Sequence, residues 1–70
     1  MRWLYIDRNY RSGLYKNHKV ELYGSTPAVI AEVDGQEIKP IAGIAGQGIT
    51  LIFTSITDAI KAAKKVVNHG

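Results

Sequence analysis

The stretch Ile49-Thr50-Leu51-Ile52-Phe53-Thr54-Ser55-Ile56-Thr57-Asp58-Ala59-Ile60-Lys61-Ala62-Ala63-Lys64-Lys65-Val66-Val67-Asn68 decides the fold. Its first five residues are apolar or β-branched and read as a strand. Ser55 then offers a hydroxyl to a backbone N–H that a first helical turn leaves unpaired. Asp58 follows three residues on, giving an S-x-x-D form of the capping box and a negative charge at the positive end of a helix dipole. Ile56, Ala59, Ile60, Ala63 and Val67 recur at spacings of three and four, so they form one apolar stripe. Lys61, Lys64 and Lys65 lie off that stripe, and the later two suit a helix C-terminus. A 70-residue chain with one such helix must lay its apolar face on a sheet.

Working back from the helix, Ala42-Gly43-Ile44-Ala45-Gly46-Gln47-Gly48 reads as a glycine-rich connection between strands. Before it, Ala28 to Val33 and Gln36 to Ile41 flank Asp34-Gly35, a dipeptide suited to a type I′ hairpin turn because both central residues need positive φ. Gly24-Ser25-Thr26-Pro27 interrupts the chain, since Pro27 removes a ladder donor and biases Thr26 towards an extended form. His18 to Tyr23 alternates, with Val20 and Leu22 on one face and Lys19, Glu21 and Tyr23 on the other. Asn17-His18 is a soft break. The segment Tyr10 to Tyr15 reads as a hairpin turn with Ser12-Gly13 at its tip, and Arg2 to Asp7 as a first strand. The expected order is β-β-β-β-β-α, or one strand fewer if residues 10–16 stay irregular. The fold class is therefore α+β: a small antiparallel sheet of four to five strands with one C-terminal helix on one face, in a single domain spanning residues 1–70.

Composition narrows the function classes. The chain has no cysteine, which removes a disulfide framework and a Cys-based zinc site. His18 and His69 have no Cys or third His to join them, so neither a metal nor another cofactor is expected. At this size burial and chain entropy nearly cancel, leaving about 3–5 kcal/mol, and homodimerisation is one way to add core. Trp3-Leu4-Tyr5-Ile6 is too short for a signal-peptide core and no apolar run approaches a membrane span, so a cytoplasmic protein that does not enter membranes is expected.

Charge is uneven. The net charge is +3, yet residues 25–60 carry Lys39 against Glu32, Asp34, Glu37 and Asp58. Both ends are basic, and Arg2, Trp3, Tyr5, Arg8, Tyr10, Arg11, Tyr15, Lys16, Lys19 and Tyr23 fall within 22 residues of the N-terminal third, with Arg8, Tyr10, Arg11, Tyr15, Lys16, Lys19 and Tyr23 as the candidate binding residues. Arginine and lysine neutralise phosphates and aromatic faces stack unpaired bases, so a sheet face carrying both would be a nucleic-acid platform. The other reading of the aromatics is core and edge packing with cations solvating the rim. Catalysis has little support: Ser12, Ser25 and Ser55 sit in turn or cap contexts, and Glu32, Asp34 and Glu37 surround a hairpin tip, a solvated setting that does not by itself tune a carboxylate for acid–base work.

Three resemblances bear on function. Ile41 to Ile52 reads I-x-G-x-x-G-x-x-I-x-x-I and resembles the core motif of KH domains, which implies RNA backbone clamping at a G-x-x-G loop. Against that, Ile44 and Ala45 are apolar and the residues from Ile49 favour strand. Phe53, Ser55, Asp58, Ala59 and Ala62, on a strand running into a helix, form a pattern similar to the DNA-binding modules of phage integrase N-terminal and AP2-type domains. In size the chain resembles small accessory proteins of phages and mobile elements, anti-CRISPR proteins among them. That likeness implies a stand-alone inhibitor binding a host protein or nucleoprotein complex, with Tyr10, Tyr15 and Tyr23 as interface anchors. The first expectation is a non-enzymatic module that binds nucleic acid through a basic-aromatic sheet surface; the second is the protein-binding inhibitor.

Overall fold

A computed structural model describes residues 1–39 and 52–69. The described chain is α+β, with strands β1 (Arg2–Ile6), β2 (Tyr10–Tyr15), β3 (His18–Ser25), β4 (Ala28–Val33) and β5 (Gln36–Ile38), then helix α1 (Ile56–His69). The strands form one antiparallel sheet in the order β1-β2-β3-β4-β5, a meander in which each strand pairs with the next in sequence.

Alternation assigns the two faces. Val20 and Leu22 of β3 and Val29, Ala31 and Val33 of β4 point to one side. The helix lies over β4 and β3 on that side, inserting Ala59 and Ala63. Ile56, Ile60, Ala62 and Val67 pack around them, so the apolar stripe is the buried face. Small residues at positions 59 and 63 let the helix backbone approach the sheet closely. Phe53 closes the core by an isolated antiparallel bridge to Val29, with reciprocal main-chain hydrogen bonds of 2.7 and 2.8 Å. The start of α1 is capped as its sequence implies: the Asp58 N–H donates to Ser55 Oγ at 3.1 Å.

Two turns follow one chemistry. Asp34 and Gly35 both have positive φ, 53° and 84°, the type I′ pattern. Lys16 and Asn17 match it with φ of 51° and 67° between β2 and β3. The expected turn tip at Ser12-Gly13 is therefore corrected: both residues are buried within β2. Gly13 stands opposite Trp3 because a Cβ there would come within 2.8 Å of the Arg2 carbonyl oxygen. The glycine permits close approach of two strands, and the reversal falls four residues later. The interruption at residues 24–27 is also narrower than expected. Gly24 and Ser25 continue β3, and Thr26-Pro27, joined by a cis peptide bond, makes the turn. The expected Ile49–Leu51 part of a last strand, the end of Gln36 to Ile41 and the glycine-rich G-x-x-G segment lie outside the described residues.

Candidate binding face of the sheet

The side of the sheet opposite α1 is built from residues that the register places in three rows. Tyr10, Tyr23 and Ile30 are direct neighbours across β2, β3 and β4. Beside them run Tyr5, Ser12, Glu21, Glu32 and Glu37, one from each strand. Arg2, Leu14 and Lys19 complete the face at its far margin. Among the described residues no element covers this surface.

The tyrosines are organised by contact. Ring centroids of Tyr5 and Tyr10 lie 5.9 Å apart and those of Tyr10 and Tyr23 5.2 Å apart, tilted in both pairs. Tyr10 donates its hydroxyl to Glu21 Oε2 at 2.7 Å, and Tyr23 donates to the same oxygen at 3.1 Å. The bond from Tyr10 holds the Glu21 carboxyl below the usual carboxylate range, helped by Tyr23 and the charge of Lys19. The same bond raises the Tyr10 phenol, whereas Tyr23 is raised first by desolvation and then by its own bond to Glu21. Glu21 is thus a charged anchor that fixes two aromatic rings. Tyr5, at 55% exposure, leaves the aromatic cluster open towards β1.

The seven residues singled out from sequence do not share one surface. Tyr10, Tyr23 and Lys19 lie on the open face. Arg11 and Tyr15 lie on the helix side: Arg11 sits over the Trp3 ring at 5.3 Å, and the Tyr15 hydroxyl meets the Asn68 amide. Arg8 lies in the β1–β2 connection, where its N–H donates to Asp7 Oδ1 at 2.7 Å. Lys16 occupies the β2–β3 turn and donates to Asn68 Oδ1 at 2.6 Å. The expected basic-aromatic sheet surface is accordingly split. The physical reason is strand parity: once Tyr10–Tyr15 is a strand, its odd residues point under the sheet and its even ones away.

Sequence reasoning missed Ile30, Glu32 and Glu37 as members of this face. The signal for the last two was present, since a type I′ turn at Asp34-Gly35 sets Val33 opposite Gln36 and therefore Glu32 opposite Glu37. Tyr5 belonged to the basic-aromatic cluster read from sequence, but its face was hidden by the β-bulge between Trp3 and Tyr5, which reverses the parity of β1.

A second cluster sits on the helix side. Lys16 and Lys64 both approach the Tyr15 ring, with Nζ 5.6 and 5.5 Å from its centroid, distances suited to cation–π attraction. Among the described residues no group of three or more His, Asp or Glu side chains is placed to hold a metal ion, and no helix is long and apolar enough to cross a membrane. Comparison with protein-family models, with curated proteins and with solved structures finds no match for this chain.

Proposed function

We propose that the protein is a non-enzymatic binding module that takes a partner protein on its open sheet face. The observation that carries this reading is the cluster of Tyr5, Tyr10 and Tyr23, one ring from each of three strands, with two of its hydroxyls held by Glu21. Tyrosine is enriched at interface hot spots, and rings already fixed lose little freedom on binding. Glu21, Glu32 and Glu37 beside that cluster disfavour phosphate, so a polypeptide suits the face better than a nucleic-acid backbone. The test is a nuclease-treated pull-down with wild type, Ile30→Asp, Glu32→Arg and Lys16→Gln. Loss of a specific partner in the two face variants, with retention in Lys16→Gln, supports the reading; equal capture by all four overturns it.

The helix-side cluster favours a second reading, nucleic-acid binding. Arg11, Tyr15, Lys16 and Lys64 bring cations and aromatic rings together there. Labelled duplex DNA, single-stranded DNA and RNA titrated at about 50 and about 200 mM salt test it, because a protein making several phosphate contacts loses affinity steeply over that range. Lys16→Gln and Lys64→Gln should each flatten the salt dependence, and absence of binding at the lower salt would remove this reading.

A further inference from the structure

β1 ends the sheet, and among the described residues no strand pairs with its outer edge. Leu4, Tyr5 and Ile6 on it are 53%, 55% and 56% exposed. Natural edge strands are usually guarded by lysine, proline, an inward charge or a β-bulge; Trp3-Leu4-Tyr5-Ile6 carries no lysine, proline or charge, although a bulge lies between Trp3 and Tyr5.

The main chain of this edge has a definite pattern. The Asp7 N–H donates to the Tyr10 carbonyl at 2.7 Å, so Asp7 faces β2 and strand alternation turns Ile6 outward. At the other end, the two-residue Lys16-Asn17 turn makes Tyr15 and His18 a hydrogen-bonded pair; Leu14 then faces β1, Arg2 faces Leu14, and Trp3 turns outward. The bulge leaves Trp3 and Ile6 on the helix side of the sheet and Arg2 on the open side. Asp7 follows Ile6 and faces Tyr10, so it too lies on the open side.

We propose that β1 is a self-association edge. Two copies pair their β1 strands antiparallel about a two-fold axis between Leu4 and Tyr5, with Trp3 of each opposite Ile6 of the other. This joins two five-stranded sheets into one. The register satisfies three conditions together. Both residues of the Trp3–Ile6 pair present outward main-chain groups, so each pair exchanges two hydrogen bonds. Their side chains meet on the same face, and Arg2 of each copy falls opposite Asp7 of the other. The two alternatives that also match faces, Trp3 opposite Trp3 and Ile6 opposite Ile6, bring no opposite charges together. The occupant of this edge is therefore a second copy of the chain, chosen by charge complementarity, whatever the open face binds.

The experiment is sedimentation equilibrium from about 1 to about 500 μM, where micromolar self-association shows as a rise from monomer to dimer mass. Arg2→Asp and Asp7→Arg each place like charges across the two-fold and should weaken the dimer by roughly tenfold. Mixed in equal amounts, the two variants are complementary at both pairs and should recover a heterodimer at least as tight as the wild-type dimer. Ile6→Lys, which leaves the Asp7–Arg8 contact untouched, should be monomeric and folded by circular dichroism. A wild type that stays monomeric throughout overturns the proposal, as does a dimer indifferent to the reversals or a mixture no tighter than its components.

Discussion

The Tyr10 hydroxyl and the Glu21 carboxylate, 2.7 Å apart on adjacent strands, bind the aromatic and acidic halves of the open face into one unit. Tyr10 stands directly opposite Tyr23 and Glu21 opposite Ser12, so the bond runs diagonally across the β2–β3 ladder. Ser12 beneath it is 6% exposed. A carboxylate that accepts two phenols at once restrains both rings, and restraint before binding is what lets an aromatic surface bind without a large loss of side-chain freedom.

That bond makes stability depend on pH at both ends of the scale. Glu21 has a folded pKa below its ordinary 4.5, so its contribution is present above that value and is lost as pH falls through the folded one. Tyr10 and Tyr23 have folded pKa values above the ordinary 10.0, so their contribution is present below 10.0 and is lost as pH rises through the folded values. Urea midpoints measured across pH should fall on both limbs. Tyr10→Phe should flatten the acid limb, because the largest cause of the Glu21 shift is gone. An acid limb as steep as that of wild type would show that the bond does not hold in solution.

Gly24 and Gly35 separate backbone strain from lack of space. Both have positive φ, 91° and 84°. At Gly35 an added Cβ meets nothing within 4 Å, so Gly35→Ala should cost about 1 kcal/mol for the left-handed conformation alone. At Gly24 the Cβ would stand 2.4 Å from the Ala28 carbonyl oxygen, against main chain that carries the β3–β4 turn. Gly24→Ala should therefore exceed Gly35→Ala by more than 1 kcal/mol or so and approach the whole stability of about 3–5 kcal/mol expected at this size. Equal melting temperatures for the two variants would contradict the close approach.

These two glycines and Gly13 also show what could be read from sequence. Gly35 follows Asp34 between two alternating runs, a local pattern with one good solution, and the hairpin is where the dipeptide places it. Val20 and Leu22 likewise reveal their face by alternation, and the helix stripe needs only its own period. Gly13 and Gly24 serve contacts with residues distant along the chain or across a turn, Arg2 and Ala28. Nothing in their neighbours tells such a glycine from a turn glycine. One misplaced turn then left Tyr10–Tyr15 without a face, and the binding residues inherited that gap. The reversal at Lys16-Asn17 carries no glycine to announce it. The site was harder to read than the fold because a surface depends on the parity of every strand, whereas a core can be inferred from a few apolar positions.

Ser55 gives a local test of the helix start. Its Oγ accepts the Asp58 N–H at 3.1 Å, and its carbonyl accepts the Ala59 N–H at the same distance. Ser55→Ala removes the first bond and leaves the second, so a loss of about 1 kcal/mol is expected, with Ser55→Asp close to wild type. Hydrogen exchange should quicken in the first turn of α1 well before global unfolding. Exchange unchanged in that turn would mean that the cap is not made.

Glu32 tests whether the open face is kept for binding. It stands directly opposite Glu21 on β3 and Glu37 on β5, so three carboxylates form an unbroken row across the sheet. Like charges directly opposite on neighbouring strands are destabilising, and a fold selected for stability alone would gain by alternating them. Glu32→Lys places a cation between two anions and should raise stability by about 0.5 kcal/mol at low salt. The gain should shrink as salt screens the row. If the row recognises a partner, the same variant binds that partner more weakly while melting higher. Opposite movements of stability and binding, read by thermal melts and by the nuclease-treated pull-down, would mark the row as functional. A variant that gains stability and keeps its partner would show that the acidic row takes no part in recognition and that the tyrosines act without it.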